Sequence, residues 1–248
     1  MSQKLTNDED RVERLKYVIE RLNYIKSTPT TPTGIDRLDD ILYGGIPTGY
    51  SILLTSPPLD EKDRITESFL QQGLDNDETV FLLTTMMKSV INRFVINYRD
   101  TFYLMLCSPW VDESIQDMPN VCTFYGVEDL TQLNISLKVF LREINEKGYK
   151  INRVVIELLS DVLLMHETRV VRRWLMDLIT LFKQQKITTL ANLDQGMHTP
   201  SEARVIIDLF DGHMDIMEKK SAKGTETKIK IKRLYNKKYQ KNELELRV

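Results

Sequence analysis

Short apolar runs recur along the chain, and stretches with helical periodicity lie between them. YSILLT (50–55), TVFLLT (79–84), RVVIEL (153–158) and ITTLAN (187–192) are bounded and largely apolar, as in strands covered on both faces. Leu133, Leu137, Phe140, Leu141 and Ile144 fall on one helical stripe, and Val171, Trp174, Leu175, Leu178 and Phe182 on another. Segments near 62–72 and 87–98 predict two more helices. This alternation predicts an α/β fold with a mostly parallel sheet flanked by helices. The end of the chain changes period. HMDIMEKK (213–220), TKIKIKRLY (227–235) and ELELRV (243–248) alternate apolar and polar, which predicts antiparallel edge strands with one solvated face.

The beginning is different again. Val12, Leu15, Ile19 and Leu22 place one apolar stripe on a helix over residues 8–26. STPTTPT (27–33) follows and reads as a linker rather than an element. The expected division is an arm, 1–31, and one domain, 32–248. A lone helix of this length is marginal in water. It is therefore expected to dock on its own domain, on a neighbouring subunit or on another protein, with Leu15, Ile19 and Leu22 as contacts.

Composition narrows the function. A chain of 248 residues buries a full core without staples. Its two cysteines, Cys107 and Cys122, form no disulfide framework and no CxxC metal site, so a reducing, cytoplasmic location is expected. The first residues are polar and no apolar run nears ~18 residues, so neither a signal peptide nor a membrane span is expected. The formal net charge of −2 excludes a globally basic nucleic-acid binder. Charge is nevertheless uneven: residues 218–241 carry ten basic and two acidic groups, net +8, which leaves −10 for the rest. Three readings follow, in order: contact with the acidic face of a second subunit through Lys230, Lys232, Arg233 and Tyr235; lysines that protect a sheet edge; and nucleic acid, with Tyr235 and Tyr239 stacking on bases. His166, His198 and His213 have no ligand spacing and read as surface or capping residues. No metal site and no Ser-His-Asp set stands out.

One string is specific. TGIDRLDDILYGGIPTG (33–49), followed at once by YSILLT, resembles the entry to a RecA-type ATPase domain of the KaiC-like and RadA-like branch. The resemblance runs from about residue 32 to 248. It implies the RecA-like P-loop NTPase fold, with antiparallel C-terminal edge strands.

In that family the first strand leads into G-x-x-G-x-G-K-T, a loop whose backbone N–H groups surround phosphates. SPPLDEKD (56–63) lies on that pattern. Lys62 matches the lysine. Ser56, Leu59 and Glu61 replace the glycines, and Asp63 replaces the magnesium-binding Thr or Ser. Pro57 and Pro58 remove two donors, and the three acids Asp60, Glu61 and Asp63 repel a triphosphate. Lys62 therefore reads as an exposed lysine at a helix start rather than a phosphate ligand. Met86 and Met87 stand where the resemblance places a carboxylate pair. A thioether is no general base, so they read as packing residues. Glu157 takes the place of the Walker B aspartate, while Ser160 and Asp161 add little. On the edge hairpin Arg233 and Tyr235 match a Lys-x-Arg that, in KaiC-like proteins, reaches the neighbouring subunit's phosphates.

The resemblance with these departures implies an archaeal or bacterial protein that has lost ATP hydrolysis. It is expected to need no cofactor and to act as a regulatory, assembly or binding subunit, with a second copy or a related active subunit as partner. Two alternatives stay open. One is a recombinase-paralogue accessory protein that binds DNA through 218–241. The other is a weak, non-standard ATP binder that uses Lys62, Glu157 and Arg233.

Overall fold

The computed structural model describes Val18 and residues 28–110, 113–221 and 224–246. The expected N-terminal helix, with Leu15, Ile19 and Leu22, lies outside the described residues, Val18 apart.

Seven strands run parallel: β3 (Ser51–Ser56), β4 (Thr79–Thr84), β5 (Phe102–Cys107), β6 (Val121–Phe124), β7 (Ile151–Ile156), β8 (Thr188–Asp194) and β9 (Gly212–Ser221). β10 (Gly224–Leu234) and β11 (Glu243–Glu245) extend the sheet antiparallel beyond β9. The order is β11-β10-β9-β3-β8-β7-β4-β5-β6. β3, β4 and β5 are buried along their whole length, as continuous apolar runs require.

Strand alternation divides the core in two. Leu53, Phe81, Leu83, Val154 and Ile156 face α5 (Leu130–Glu146), α6 (Leu159–Met165), α7 (Thr168–Gln184) and α8 (Pro200–Ile207). Ile52, Leu54, Val80, Leu82 and Val155 face α1 (Asp36–Ile41), α2 (Asp60–Asp75), α3 (Ser89–Asn97) and α4 (Glu113–Gln116). The predicted stripe of α7 is buried throughout. α5 starts at Asp129, whose carboxylate accepts from the Thr131 and Gln132 N–H groups. α8 starts with a capping box, Thr199 with Glu202, and Pro200 in its first turn.

The expected α/β, mostly parallel architecture is present. Three expectations change. STPTTPT is not a linker throughout: Thr30–Thr31 form β1, paired antiparallel with β2 (Ile46–Pro47), and Thr28, Thr31 and Thr33 are buried. Gly45, at φ +121°, leaves room for the Thr31 backbone, which any Cβ there would strike. Residues 213–220 do not open a purely antiparallel extension, because β9 pairs parallel with β3 on one side and antiparallel with β10 on the other. β5, β6, α6 and α8 were not among the predicted elements. The six-residue apolar run of β5 has no period that separates strand from helix, and β6 is a half-exposed edge.

Candidate functional site

Because the central strands are parallel, their carboxyl ends share one edge of the sheet, where clefts form in such folds. Four segments leave that edge side by side: 57–59 after β3, 85–88 after β4, 157–158 after β7 and 195–199 after β8.

The segment after β3 is only three residues long. Pro57, Pro58 and Leu59 lead from Ser56 straight into α2, with Leu59 extended at φ −130°, ψ 147°. No residue from Ser56 to Asp63 has a positive φ. The Ser56 hydroxyl, buried, donates to the Pro57 carbonyl at 2.6 Å. Leu59 packs against the core, and Glu61 is buried in the first turn of α2.

Lys62 is not an exposed lysine, as its position at a helix start had implied. Its side chain is 16% exposed, and its ammonium pairs with the Asp194 carboxylate at the end of β8. Asp194 is held in turn: its N–H donates to the Ser160 hydroxyl at 2.9 Å. Asp161 accepts from the Thr85 hydroxyl at 2.6 Å. Ser160 and Asp161 thus tie α6 to the neighbouring strand ends, a larger role than their sequence position implied.

Asp63 and Glu157 are brought together by a residue that the sequence reading passed over. The Lys88 ammonium lies 2.9 Å from Asp63 Oδ1 and 3.4 Å from Glu157 Oε1. Burial pushes the Glu157 carboxyl pKa up, while Lys88 and the Thr84 side chain pull it down without cancelling that rise. For Lys88, burial disfavours the charge, but attraction to Glu157 and the hydrogen bond to Asp63 outweigh it, so its pKa lies above the ordinary 10.5. The only local signal for Lys88 was its place between a buried strand and the next helix.

The methionine pair splits. Met87 packs against the core, but Met86 is 66% exposed, so it is not a packing residue. Arg233 is also re-placed. Its guanidinium donates to the carbonyls of Ile207 at 2.7 Å and Phe210 at 3.0 Å, pairs with Asp208 at 3.3 Å and stacks over Tyr235. It closes the α8–β9 corner of its own chain. Lys230 and Lys232 likewise meet their own chain's acids, Glu243 and Asp215.

Beside Lys62 lies a cleft of about 500 Å³, lined in part by Thr55, Asp194, Gln195, His198, His213 and Asp215. Thr55 donates to Asp215 at 2.7 Å and its hydroxyl lies 2.8 Å from His213 Nε2. Burial lowers the His213 pKa, nearby Arg233 and Lys232 lower it further, and Asp215 opposes them. Of the three histidines expected as surface or capping residues, His166 is the C-cap of α6, and all three keep partial exposure. His166 hydrogen-bonds the Val127 carbonyl at 2.7 Å.

A family model described as "ATPase: KaiC" matches residues 31–248. The chain belongs to the KaiC family. Among solved structures, this KaiC-family chain is similar to the KaiC-like protein PH0186 from the hyperthermophilic archaeon Pyrococcus horikoshii OT3. The two are 15% identical, with a TM-score of 0.64 over 89% of this chain and 95% of that one. At that identity the likeness shows a shared fold. A search of curated proteins gives no match. Among the described residues no three or more His, Cys, Asp or Glu side chains group as metal ligands, and no helix is long and apolar enough to cross a membrane.

Proposed function

We propose that this KaiC-family chain does not hydrolyse ATP and serves as a regulatory, assembly or binding subunit beside a second copy or an active relative. The observation that carries this reading is the segment from Ser56 to Asp63. A phosphate cradle needs consecutive backbone N–H groups turned inward, which glycines and left-handed residues permit. Here two prolines, an extended Leu59 and an immediate helix leave no such concavity. The one lysine on the pattern is taken by Asp194, and no carboxylate stands at Met86-Met87 to orient a water.

The same edge supports a contact role. Met86, Trp110, Tyr125, Leu164 and Met165 are each more than half exposed. The elements that carry them are neighbours, through the Thr85–Asp161 bond, the His166–Val127 bond and the pairing of β5 with β6. Exposed apolar groups gathered in this way mark interaction surfaces more often than free ones. The DNA-binding alternative draws less support. Lys219, Lys228, Lys230, Lys232 and Arg233, half of the ten basic groups in 218–241, already face carboxylates of their own chain.

Calorimetric titration of the full chain with ATP, with and without Mg²⁺, tests the reading. No saturable heat is expected, and no rise in melting temperature at millimolar ATP. A ligand at 100 times its Kd adds about 2.7 kcal/mol, so binding would be plain. Saturable Mg-ATP binding followed by phosphate release overturns the proposal.

A further inference from the structure

Lys88 occupies a position that its helix does not explain. It is the N-cap of α3, extended at φ −104°, ψ 155°, and makes no side-chain cap. That position favours Ser, Thr, Asp or Asn, and the helix N-terminus disfavours a cation. The ammonium instead turns between two carboxylates from separate elements, Asp63 in the first turn of α2 and Glu157 just past β7. Glu157 has a side chain only 10% exposed, and a carboxylate buried to that degree needs a counter-charge. Lys62, beside Asp63 in the first turn of α2, is engaged by Asp194.

We infer that Lys88 is the resident cation of this carboxylate pair: its ammonium fills the place a divalent ion would take between Asp63 and Glu157 and offsets one of their two charges without metal. The ammonium is itself the sign that the pair holds a cation. Its backbone is set by its neighbours. Thr84 Oγ1 accepts from the Met86 N–H at 3.1 Å, Met87 packs into the core, and the Lys88 carbonyl accepts from the Asn92 N–H at 3.1 Å. The stem is thereby aimed into the pair. Carboxylate oxygens are hard ligands that accept an ammonium or a hydrated Mg²⁺ or Mn²⁺, but not both in one place. The inference rests on the reading that no Mg-nucleotide is bound here, and it names what stands in the metal's position.

Mn²⁺ binding, followed by its paramagnetic signal in the full chain, tests it. The wild type is expected to take up no Mn²⁺ at this pair. Lys88→Ala and Lys88→Met, the second of which keeps the stem's packing, are each expected to gain one site with Kd on the order of a millimolar or tighter. Adding Glu157→Gln to either should abolish it. If Lys88→Ala unfolds without metal, millimolar Mn²⁺ should restore its cooperative melt. Failure of both variants to respond to Mn²⁺, folded or not, overturns the inference. So does a wild type that binds Mn²⁺ as tightly as the variants at a site lost in Glu157→Gln. ATP binding by the wild type counts against the functional reading, whereas absence of metal gain in the variants counts against the inference, so the two failures are distinguishable.

Discussion

Among the described residues, Arg153 carries the largest side chain with essentially no solvent exposure. It sits at the third position of β7, and its guanidinium pairs with the Glu78 carboxylate, bonding at 3.1 Å through Nη2. It also donates to the carbonyls of Pro32 at 2.6 Å and Phe69 at 3.0 Å, and lies 4.8 Å from the Phe69 ring centroid. Gly73 makes room for it: a Cβ there would lie 2.9 Å from Arg153 Cδ and 2.8 Å from Val80 Cγ2. One charge thus joins the entry strand, α2 and the sheet. Arg153→Met keeps most of the volume but leaves Glu78 and two carbonyls without their donor. We expect it to cost about 3–5 kcal/mol, the range for breaking a buried ion pair. Urea unfolding measures this, and a loss within the ±0.5 kcal/mol usual for a surface change would show that water replaces the guanidinium.

At the scale of elements, the threonine- and proline-rich entry is the least expected piece. Thr31 Oγ1 lies 2.8 Å from Thr188 Oγ1, and the Thr33 N–H donates to Asp39 at 2.8 Å. Burial pushes the Asp39 pKa up, and those donors from Thr33 and Gly34 hold it back. β1 therefore ends a chain of contacts that runs through α1 to Arg153. Removing residues 1–27 is expected to leave a folded, cooperatively melting domain. Removing residues 1–33 also takes away β1 and the Pro32 acceptor, and should lower stability by several kcal/mol, each buried bond left unmade costing about 1–3 kcal/mol. Equal melting temperatures for the two truncations would show that β1 contributes nothing. We propose that the domain begins before Thr28 rather than at Pro32, and the two truncations test this.

For the whole molecule, the charge split of +8 against −10 remains, but the hairpin spends much of its charge on its own edge. We propose that what is left, together with the apolar groups at the strand ends, holds a second subunit. Sedimentation of the full chain should then show an assembly that loosens as salt rises, because exposed charges are screened beyond ~10 Å at 0.1 M. A monomer at every salt concentration would argue against it. Reversing Lys230 and Lys232 to glutamate is expected to lower the melting temperature as well, since each places a carboxylate beside Glu243 or Asp215.

The amino-acid pattern by itself determined the layers of this protein. Val171 to Phe182 and Leu133 to Ile144 bury the faces their spacing predicts, and TVFLLT is the strand it reads as. Periods of 2 and 3.6 residues are local properties, so they are visible in a line of text. The string at 33–49 was legible too, because a motif is a contiguous run of residues, and it pointed to the family that the chain belongs to. What tertiary structure decided is which distant groups meet. Lys62 finds Asp194 across 132 positions, and Lys88 finds Glu157 across 69. Strand order alone sets those meetings: β3 lies beside β8 and β4 beside β7, and a sheet order other than this one would pair the same lysines with other acids. Met86 was misplaced for the complementary reason. Burial at a strand end depends on what covers it, and nothing in the residue type says that the space above it is open.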